Sequence, residues 1–207
     1  MNRGQFLLEK MIQRYDNETY SHCQQVSIIS YLIGEVLELP QQDNLLICRA
    51  AALHDLGKIC LPVEVLRKQG LLNKEEWDLI MGHPIQGYQL LKSHPDPLMK
   101  DISMLVLLHH ERIDGKGYPC GVKGKEIPLG ARVIAIADAL QAMLTDRPYR
   151  DNPLTFKAAL AQIEVNAGTQ FDEEMARRII SWFRARGETL DVRLTNYVSN
   201  LNQEEEA

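Results

Sequence analysis

The chain has 207 residues, 45% of them hydrophobic, and a formal net charge of −5. This length suits one domain that buries about 70% of its unfolded surface, and the acidic balance argues against binding to a nucleic-acid polymer. No segment approaches the roughly 18 consecutive apolar residues of a membrane span, and the N-terminus lacks a secretory signal. We therefore expect a cytoplasmic protein without a membrane partner.

Helical periodicity dominates the first half of the chain. Residues 17–39 form an amphipathic segment that ends before Pro40, and residues 42–57 predict a second helix with Asp43 as its N-cap and Gly57 at its end. Residues 62–70 predict a short third helix. Residues 73–94 begin with Asn73 and Glu76 in the spacing of a capping box, and Pro84 divides the segment into two helices.

The second half continues this pattern. Helices are predicted over residues 96–110, 129–146, 153–168 and 171–187, the last capped by Asp172. The loop between the first two, residues 111–128, is long enough to indicate a function. The fold class is therefore all-α: a single compact multi-helix domain with one long functional loop. We expect an N-terminal helix or linker at 1–16, a catalytic domain at 17–187 and an acidic extension at 188–207.

Five of the six histidines lie at predicted helix ends or near acidic residues. On one helix, Glu18 and His22 are four residues apart and share a face. Asp138 interrupts an apolar helix, where a buried carboxylate needs a partner. Nitrogen and carboxylate ligands without thiolate suit iron, manganese, nickel or zinc, and there are more of them than one ion needs. The candidate ligands are Glu18, His22, His54, Asp55, His83, His109, His110 and Asp138.

Each of these residues also has a structural explanation. A single histidine is more often hydrogen-bonded within the fold than bound to metal, and Asp138 alone could bond to a neighbouring helix. Tyr118 lies in a glycine-rich turn, where its ring could pack on the protein or contact a ligand. It is the combination that favours a metal site.

Four motifs carry a resemblance to a known family. HDLGK at 54–58, HPIQG at 83–87, HHERIDGKGYP at 109–119 and ADALQAMLTDRPYR at 137–150 resemble the HD-GYP family of cyclic di-GMP phosphodiesterases. The HD pair alone marks a broad superfamily of metal-dependent phosphohydrolases, whereas HHExxDGxGYP narrows the resemblance to this branch. The likeness extends from about Glu18 to Phe171.

The resemblance implies a role for each matching residue. Asp55 would bridge two ions, and Glu18 would go with a third. The cofactor would be two or three divalent ions, iron or manganese first, with nickel or zinc as alternatives. Asp55 and Lys58 would be the catalytic residues, and the substrate contacts would be Lys58, Tyr118, Arg147 and Arg150.

The chain departs from the family pattern at Gln141, because DALQAM stands where the family commonly reads DxxDAL. This residue lies one helical turn from Asp138. We therefore count Gln141 among the expected substrate contacts, with an effect either on guanine recognition or on the groups behind the metal ligands.

The expected activity is hydrolysis of cyclic di-GMP to pGpG, with further hydrolysis to GMP left open. One alternative is a phosphohydrolase for a different cyclic dinucleotide or nucleotide. Another is a signalling module that binds a ligand or partner without turnover. A homodimer and signalling partner proteins are both compatible with the sequence.

Overall fold

The computed structural model describes residues 3–145 and 153–186. Over these residues the chain is helical, and the all-α prediction is confirmed; apart from helices, they form one isolated bridge between Ala167 and Phe171. The α-helices are α1 Arg3–Tyr15, α2 Asn17–Val36, α3 Gln41–Ala51, α4 Val63–Leu66, α5 Lys74–Met81, α6 His83–Lys92, α7 Pro97–Leu108, α8 Leu129–Leu144, α9 Phe156–Val165 and α10 Glu173–Arg186. Two 3-10 helices span Leu56–Cys60 and Gly124–Glu126.

The centre of the core is formed by α2 and α8, which pack against each other and against α3. Their apolar side chains, such as Val26 and Ile33 on α2 and Ile134 and Leu140 on α8, are almost fully buried. Burying a side chain of this size contributes about 1.5–3 kcal/mol. This packing sets the distance between polar residues that α2 and α8 carry at their edge.

Helix ends follow the predicted capping residues in two places. The Asn73 side chain accepts from Glu76 N at 2.8 Å while the Glu76 carboxylate accepts from Asn73 N at 2.8 Å, which completes the capping box. At α10, Asp172 Oδ1 accepts a hydrogen bond from Met175 N at 3.0 Å. The division near Pro84 is also confirmed, because α6 starts at His83 immediately before it.

The second predicted helix is wrong at both ends. Pro40, not Asp43, is the N-cap of α3, and Asp43 lies inside the first turn. The helix ends at Ala51, before the HDLGK motif. A continuous helix would rotate neighbouring side chains about 100° apart. The turn that replaces it instead lets the side chains of His54 and Asp55 converge.

A close backbone approach holds this turn in place. A Cβ on Gly57 would lie 1.9 Å from His83 O and 2.6 Å from Gly87 N, so only glycine fits where the 3-10 helix crosses the start of α6. The glycines of two predicted motifs therefore have a packing role. They bring the segment carrying Asp55 against the helix that begins at His83.

Replacing Gly57 with alanine is expected to destabilise the protein by about 1–3 kcal/mol or more, because the added methyl meets backbone atoms that cannot move aside. Urea unfolding monitored by circular dichroism measures this loss. The matched control is Gly82→Ala, whose methyl would come no nearer than 3.1 Å to a neighbouring atom; its effect should stay within about 1 kcal/mol. Equal stabilities of the two variants would contradict the packing role.

The N-terminal segment contributes to the core. Ile12 of α1 is 1% exposed, and the Tyr15 hydroxyl donates to Leu61 O just after the 3-10 helix. The predicted bounds of 1–16, 17–187 and 188–207 stay predictions, and the last of these segments lies outside the described residues. Across 3–145 and 153–186, no helix combines the length and apolarity required to cross a membrane.

Candidate metal centre

Histidine and carboxylate side chains from four parts of the chain meet at one place. They form two groups, in each of which three ligand atoms lie within 4.8 Å of one another. The contributing segments are α2, the turn after α3, the start of α6 and the end of α7. One group is His83, His109 and His110; the other is His22, His54 and Asp55.

Three of these histidines are oriented by the backbone. Each lies near a helix end, and its Nδ1 contacts the carbonyl oxygen three residues earlier. The pairs are His54 Nδ1 with Ala51 O at 2.7 Å, His83 Nδ1 with Ile80 O at 2.6 Å and His109 Nδ1 with Val106 O at 2.6 Å. Because a carbonyl only accepts, Nδ1 carries the proton, and in the neutral ring Nε2 is left with a lone pair.

Within each group, the Nε2 atoms of two histidines approach one another across the centre. His83 Nε2 lies 3.3 Å from His109 Nε2, and His22 Nε2 lies 3.2 Å from His54 Nε2. Burial and the neighbouring histidines hold the pKa of His109 well below its usual value, so protonation does not relieve the contact. A divalent cation bound by these nitrogens would remove the repulsion between them, and the donor set therefore fits a metal.

Asp55 belongs to the second group but also faces the first, and it is 1% exposed. Its Oδ1 is 3.2 Å from His83 Nε2 yet makes no hydrogen bond, while Oδ2 is 3.4 Å from His54 Nε2 and 3.6 Å from His22 Nε2. Burial alone would raise the pKa of Asp55, but Lys58 and the histidines hold it well below its usual range. An ionised carboxylate with one oxygen toward each group has the arrangement of a bridging ligand.

Asp138 reaches this centre from α8. Its Oδ1 lies 3.1 Å from His22 Nε2, and its side chain is 20% exposed. Burial opposes the charge of His22, but the Asp138 carboxylate outweighs that effect and raises the pKa of the imidazole. The packing of α2 against α8 therefore joins these two predicted ligands.

Lys58 lies at the edge of the same centre, with Nζ 2.6 Å from Asp55 Oδ2. Burial disfavours its charge, yet the Asp55 carboxylate more than compensates, and the pKa of Lys58 is raised. The side chain is 23% exposed. An ammonium fixed beside the histidine cluster and open to solvent can contact an anionic ligand.

A cavity of about 330 Å³ opens beside the histidines, between the 111–128 loop and α8. Tyr118 and Asp138 both line it. The Tyr118 ring packs on His110, with centroids 4.8 Å apart and an angle of 32° between the rings. Tyr118 therefore packs one face on the protein and borders the cavity, and its contact with a ligand stays a prediction.

Glu111 was missed as a site residue, although it directly follows the two histidines in the quoted motif. It is 3% exposed, and its Oε1 accepts from Cys120 N at 2.6 Å and Gly121 N at 3.0 Å. These bonds fold the loop back over the end of α7. Gly117 permits the fold, because a Cβ there would lie 2.4 Å from Arg112 N.

Replacing Glu111 with alanine is expected to release the 118–121 turn, because two hydrogen bonds to it are lost. For the expected hydrolysis of cyclic di-GMP, kcat/KM should then fall by roughly 10- to 100-fold, since Tyr118 would lose its fixed position. Steady-state kinetics at saturating metal measure this effect. The control is Glu126→Ala in the same loop, which leaves these two bonds intact. Unchanged kcat/KM for Glu111→Ala would contradict the positioning role.

The other predicted site residues do not belong to either ligand group. Glu18 is exposed one turn before His22 on α2 and belongs to neither group. Gln141 is 4% exposed; its side chain contacts His22 and is not among the cavity-lining groups of the described chain. Gln141 therefore lies behind a candidate ligand, which is one of its two expected positions, and its contact with substrate stays a prediction. Arg147 and Arg150 lie outside the described residues.

Gln170 also lines the cavity and was not predicted. It belongs to the turn between α9 and α10, and its carbonyl oxygen accepts from Ile113 N at 3.4 Å. No motif marks this residue. Only the contact between two segments distant in sequence could have revealed it.

Protein kept free of metal by a chelator is expected to lose stability as pH falls from 6.5 to 5. Burial lowers the pKa of His110 to about 3 from the ordinary 6.5, and burial also lowers the pKa values of His54 and His109. Between pH 6.5 and these lower values, the unfolded chain binds protons that the folded site does not. The contribution of these histidines to the free energy of unfolding is therefore fully present above pH 6.5 and is lost progressively below it. The raised pKa of His22 acts in the opposite sense only above pH 6.5.

Urea midpoints at pH 7.5, 6.5 and 5.5 measure this dependence. A His110→Asn variant supplies the control, since it removes one titrating group and should show a shallower dependence. A midpoint independent of pH in both proteins would contradict the expected neutral histidines.

Comparisons with known proteins agree with this geometry. A family model described as HD domain matches residues 7–175. RpfG, a cyclic di-GMP phosphodiesterase response regulator of Xanthomonas campestris pv. campestris, is 39% identical over 80% of this chain and 43% of its own. The 3'3'-cGAMP-specific phosphodiesterase 3 of Vibrio cholerae is 36% identical over 80% of this chain and 35% of its own.

Among solved structures, Bd1817, a HDG"Y"P protein from Bdellovibrio bacteriovorus, has a TM-score of 0.63 and 20% identity, covering 80% of this chain and 52% of that one. This likeness supports the fold. The chain spans less than half the length of the two curated relatives. The family match covers most of the chain and includes both histidine groups. The chain belongs to the HD domain family, and its motifs resemble those of the HD-GYP group.

Proposed function

We propose that this chain is a metal-dependent phosphodiesterase that hydrolyses cyclic di-GMP to pGpG and then to GMP. Its cofactor is a pair of iron or manganese ions, one at each of the two histidine groups, and a third ion near Glu18 is a separate hypothesis. It acts in the cytoplasm. The relatives whose names include cyclic di-GMP phosphodiesterase support the substrate.

The observation that carries the proposal is the convergence of imidazole lone pairs on a shared carboxylate. His83 and His109 present Nε2 on one side of Asp55, and His22 and His54 present theirs on the other. A purely structural cluster of this kind would be costly, since unpaired acceptors would face each other in a buried space.

The chain's own residues would divide the remaining tasks. A pair of divalent ions supplies a hydroxide nucleophile at neutral pH and offsets charge on the phosphoryl oxygens. Lys58 would donate to a non-bridging phosphate oxygen and stabilise the charge that develops there. The cavity beside Tyr118 would receive the nucleoside next to the scissile phosphate and orient it.

A second candidate substrate is 3'3'-cGAMP, because a relative that is 36% identical carries that specificity in its name. The departure at Gln141 does not favour it, since Gln141 contacts His22 and not the cavity. Both candidates contain the same phosphodiester linkage. The choice between them depends on how the cavity accepts guanine or adenine.

Chromatography of products from cyclic di-GMP, 3'3'-cGAMP and cyclic di-AMP, each incubated with manganese-loaded protein, tests the substrate. The proposal predicts the highest kcat/KM for cyclic di-GMP, with pGpG preceding GMP. A higher kcat/KM for 3'3'-cGAMP would transfer the assignment to the second candidate. Binding of all three without hydrolysis would instead indicate a non-catalytic signalling module.

A further inference from the structure

His22 is oriented differently from three other histidines of the centre. His54, His83 and His109 contact backbone carbonyls at helix ends. His22 lies within α2, where the carbonyls of the preceding turn already accept helical hydrogen bonds. Its Nδ1 instead lies 2.6 Å from Oε1 of Gln141 on α8. The Gln141 side chain therefore supplies the acceptor for His22 Nδ1 that a backbone carbonyl supplies for His54, His83 and His109.

The orientation of the Gln141 amide is fixed by two further contacts. Its Nε2 donates to Gln25 Oε1 at 2.7 Å and to Thr145 Oγ1 at 2.8 Å. Both amide hydrogens are thus used, which leaves Oε1 as the group that faces His22. Because Oε1 only accepts, His22 carries its proton on Nδ1, and Nε2 is directed toward Asp55 and Asp138.

We propose that Gln141 is a positioning residue that holds His22 in the Nδ1-protonated form and thereby sets the metal affinity of the His22, His54 and Asp55 group. The inference rests on the metal-dependent function proposed above and develops one of the two roles expected for Gln141, an effect on the groups behind the metal ligands. Partners that hold the second nitrogen of a ligating histidine typically change metal affinity by 10- to 100-fold.

The residue type at this position matters as well as its contact. A carboxylate would add a negative charge behind the imidazole and make Nε2 donate its electron pair to a metal more strongly, whereas the Gln141 amide is neutral. The group containing His22 should therefore bind its ion less tightly in the wild-type protein than in a variant with a carboxylate at position 141. The Gln141→Glu variant keeps the chain length and the acceptor while adding the charge.

The first test is titration of metal-free protein with Mn²⁺, with bound metal measured directly. Relative to wild type, Gln141→Leu is expected to weaken one of the two Mn²⁺-binding steps by about 10- to 100-fold. Gln141→Glu should keep or raise the Mn²⁺ affinity of that step. The matched control is Gln170→Leu, a glutamine at the cavity without contact to His22; it should retain both affinities. Equal Mn²⁺ affinities for wild type and Gln141→Leu would overturn the proposal.

The second test remains informative if Gln141→Leu fails to fold. Long-range ¹H–¹⁵N spectra of the zinc-loaded wild-type protein should show His22 protonated on Nδ1. Protonation on Nε2 would overturn the proposal. Both readouts are independent of turnover, so loss of the proposed hydrolytic function would leave this inference standing, and loss of metal binding by wild type would remove both.

Discussion

Replacing Asp55 with asparagine is expected to reduce hydrolysis of cyclic di-GMP by about 10³-fold or more. Each of its two carboxylate oxygens faces a different histidine group, at 3.2 Å from His83 and 3.4 Å from His54. Asparagine keeps the shape but removes the charge and one of the two acceptor atoms. Both ions should therefore be lost or weakly held.

Metal analysis of the same variant checks this explanation. The proposal predicts two ions per wild-type chain, one in His83→Ala and one in His22→Ala, because each of these histidines belongs to a single group. Glu18→Ala tests the separate hypothesis of a third ion, which requires three ions per wild-type chain and two in this variant; equal metal content in the two proteins would contradict that hypothesis. Full metal content with full activity in Asp55→Asn would contradict the bridging role.

Replacing Lys58 with methionine is expected to reduce kcat by roughly 10²- to 10³-fold while metal content is retained. Lys58 Nζ is 2.6 Å from Asp55 Oδ2. A positive charge at that position repels a metal cation, so its removal should not weaken metal binding. The loss of kcat would instead report the missing interaction with the phosphate. Methionine preserves most of the apolar stem and limits the change in packing.

The matched control for Lys58 is Lys68→Met. Lys68 forms an ion pair with Glu76 on the surface, at 2.6 Å, and lies apart from the histidine groups. Its replacement should leave kcat unchanged. A loss of bound metal in Lys58→Met, or a kcat equal to that of wild type, would contradict the proposed phosphate contact.

The helices and most of the candidate ligands could be predicted from the sequence. Periodicity gave the helices because each buries one apolar face, and the capping box at Asn73 followed from local hydrogen bonding that needs no tertiary information. His83 and the pair at His109 and His110 could be placed near helix ends for the same reason. Their convergence with Asp55 was expected only through the family resemblance.

The remaining features depend on contacts between distant segments. The end of α3 at Ala51 was missed because the turn before Asp55 is held by the approach of Gly57 to α6, which has no local signal. Gln141 was expected to act either on guanine recognition or behind the metal ligands, and its contacts with His22 and Gln25 on α2 depend on the packing of α2 against α8. Glu111 acts on a turn nine residues further along the chain. Such contacts become visible only when the helices are assembled.

The most direct test of the two-metal centre is hydrolysis of cyclic di-GMP measured while Mn²⁺ is added stepwise to metal-free protein under anaerobic conditions. The account predicts that turnover to pGpG depends on the second equivalent of bound Mn²⁺ and is absent in Asp55→Asn. Protein that binds two equivalents and still leaves cyclic di-GMP intact would contradict it.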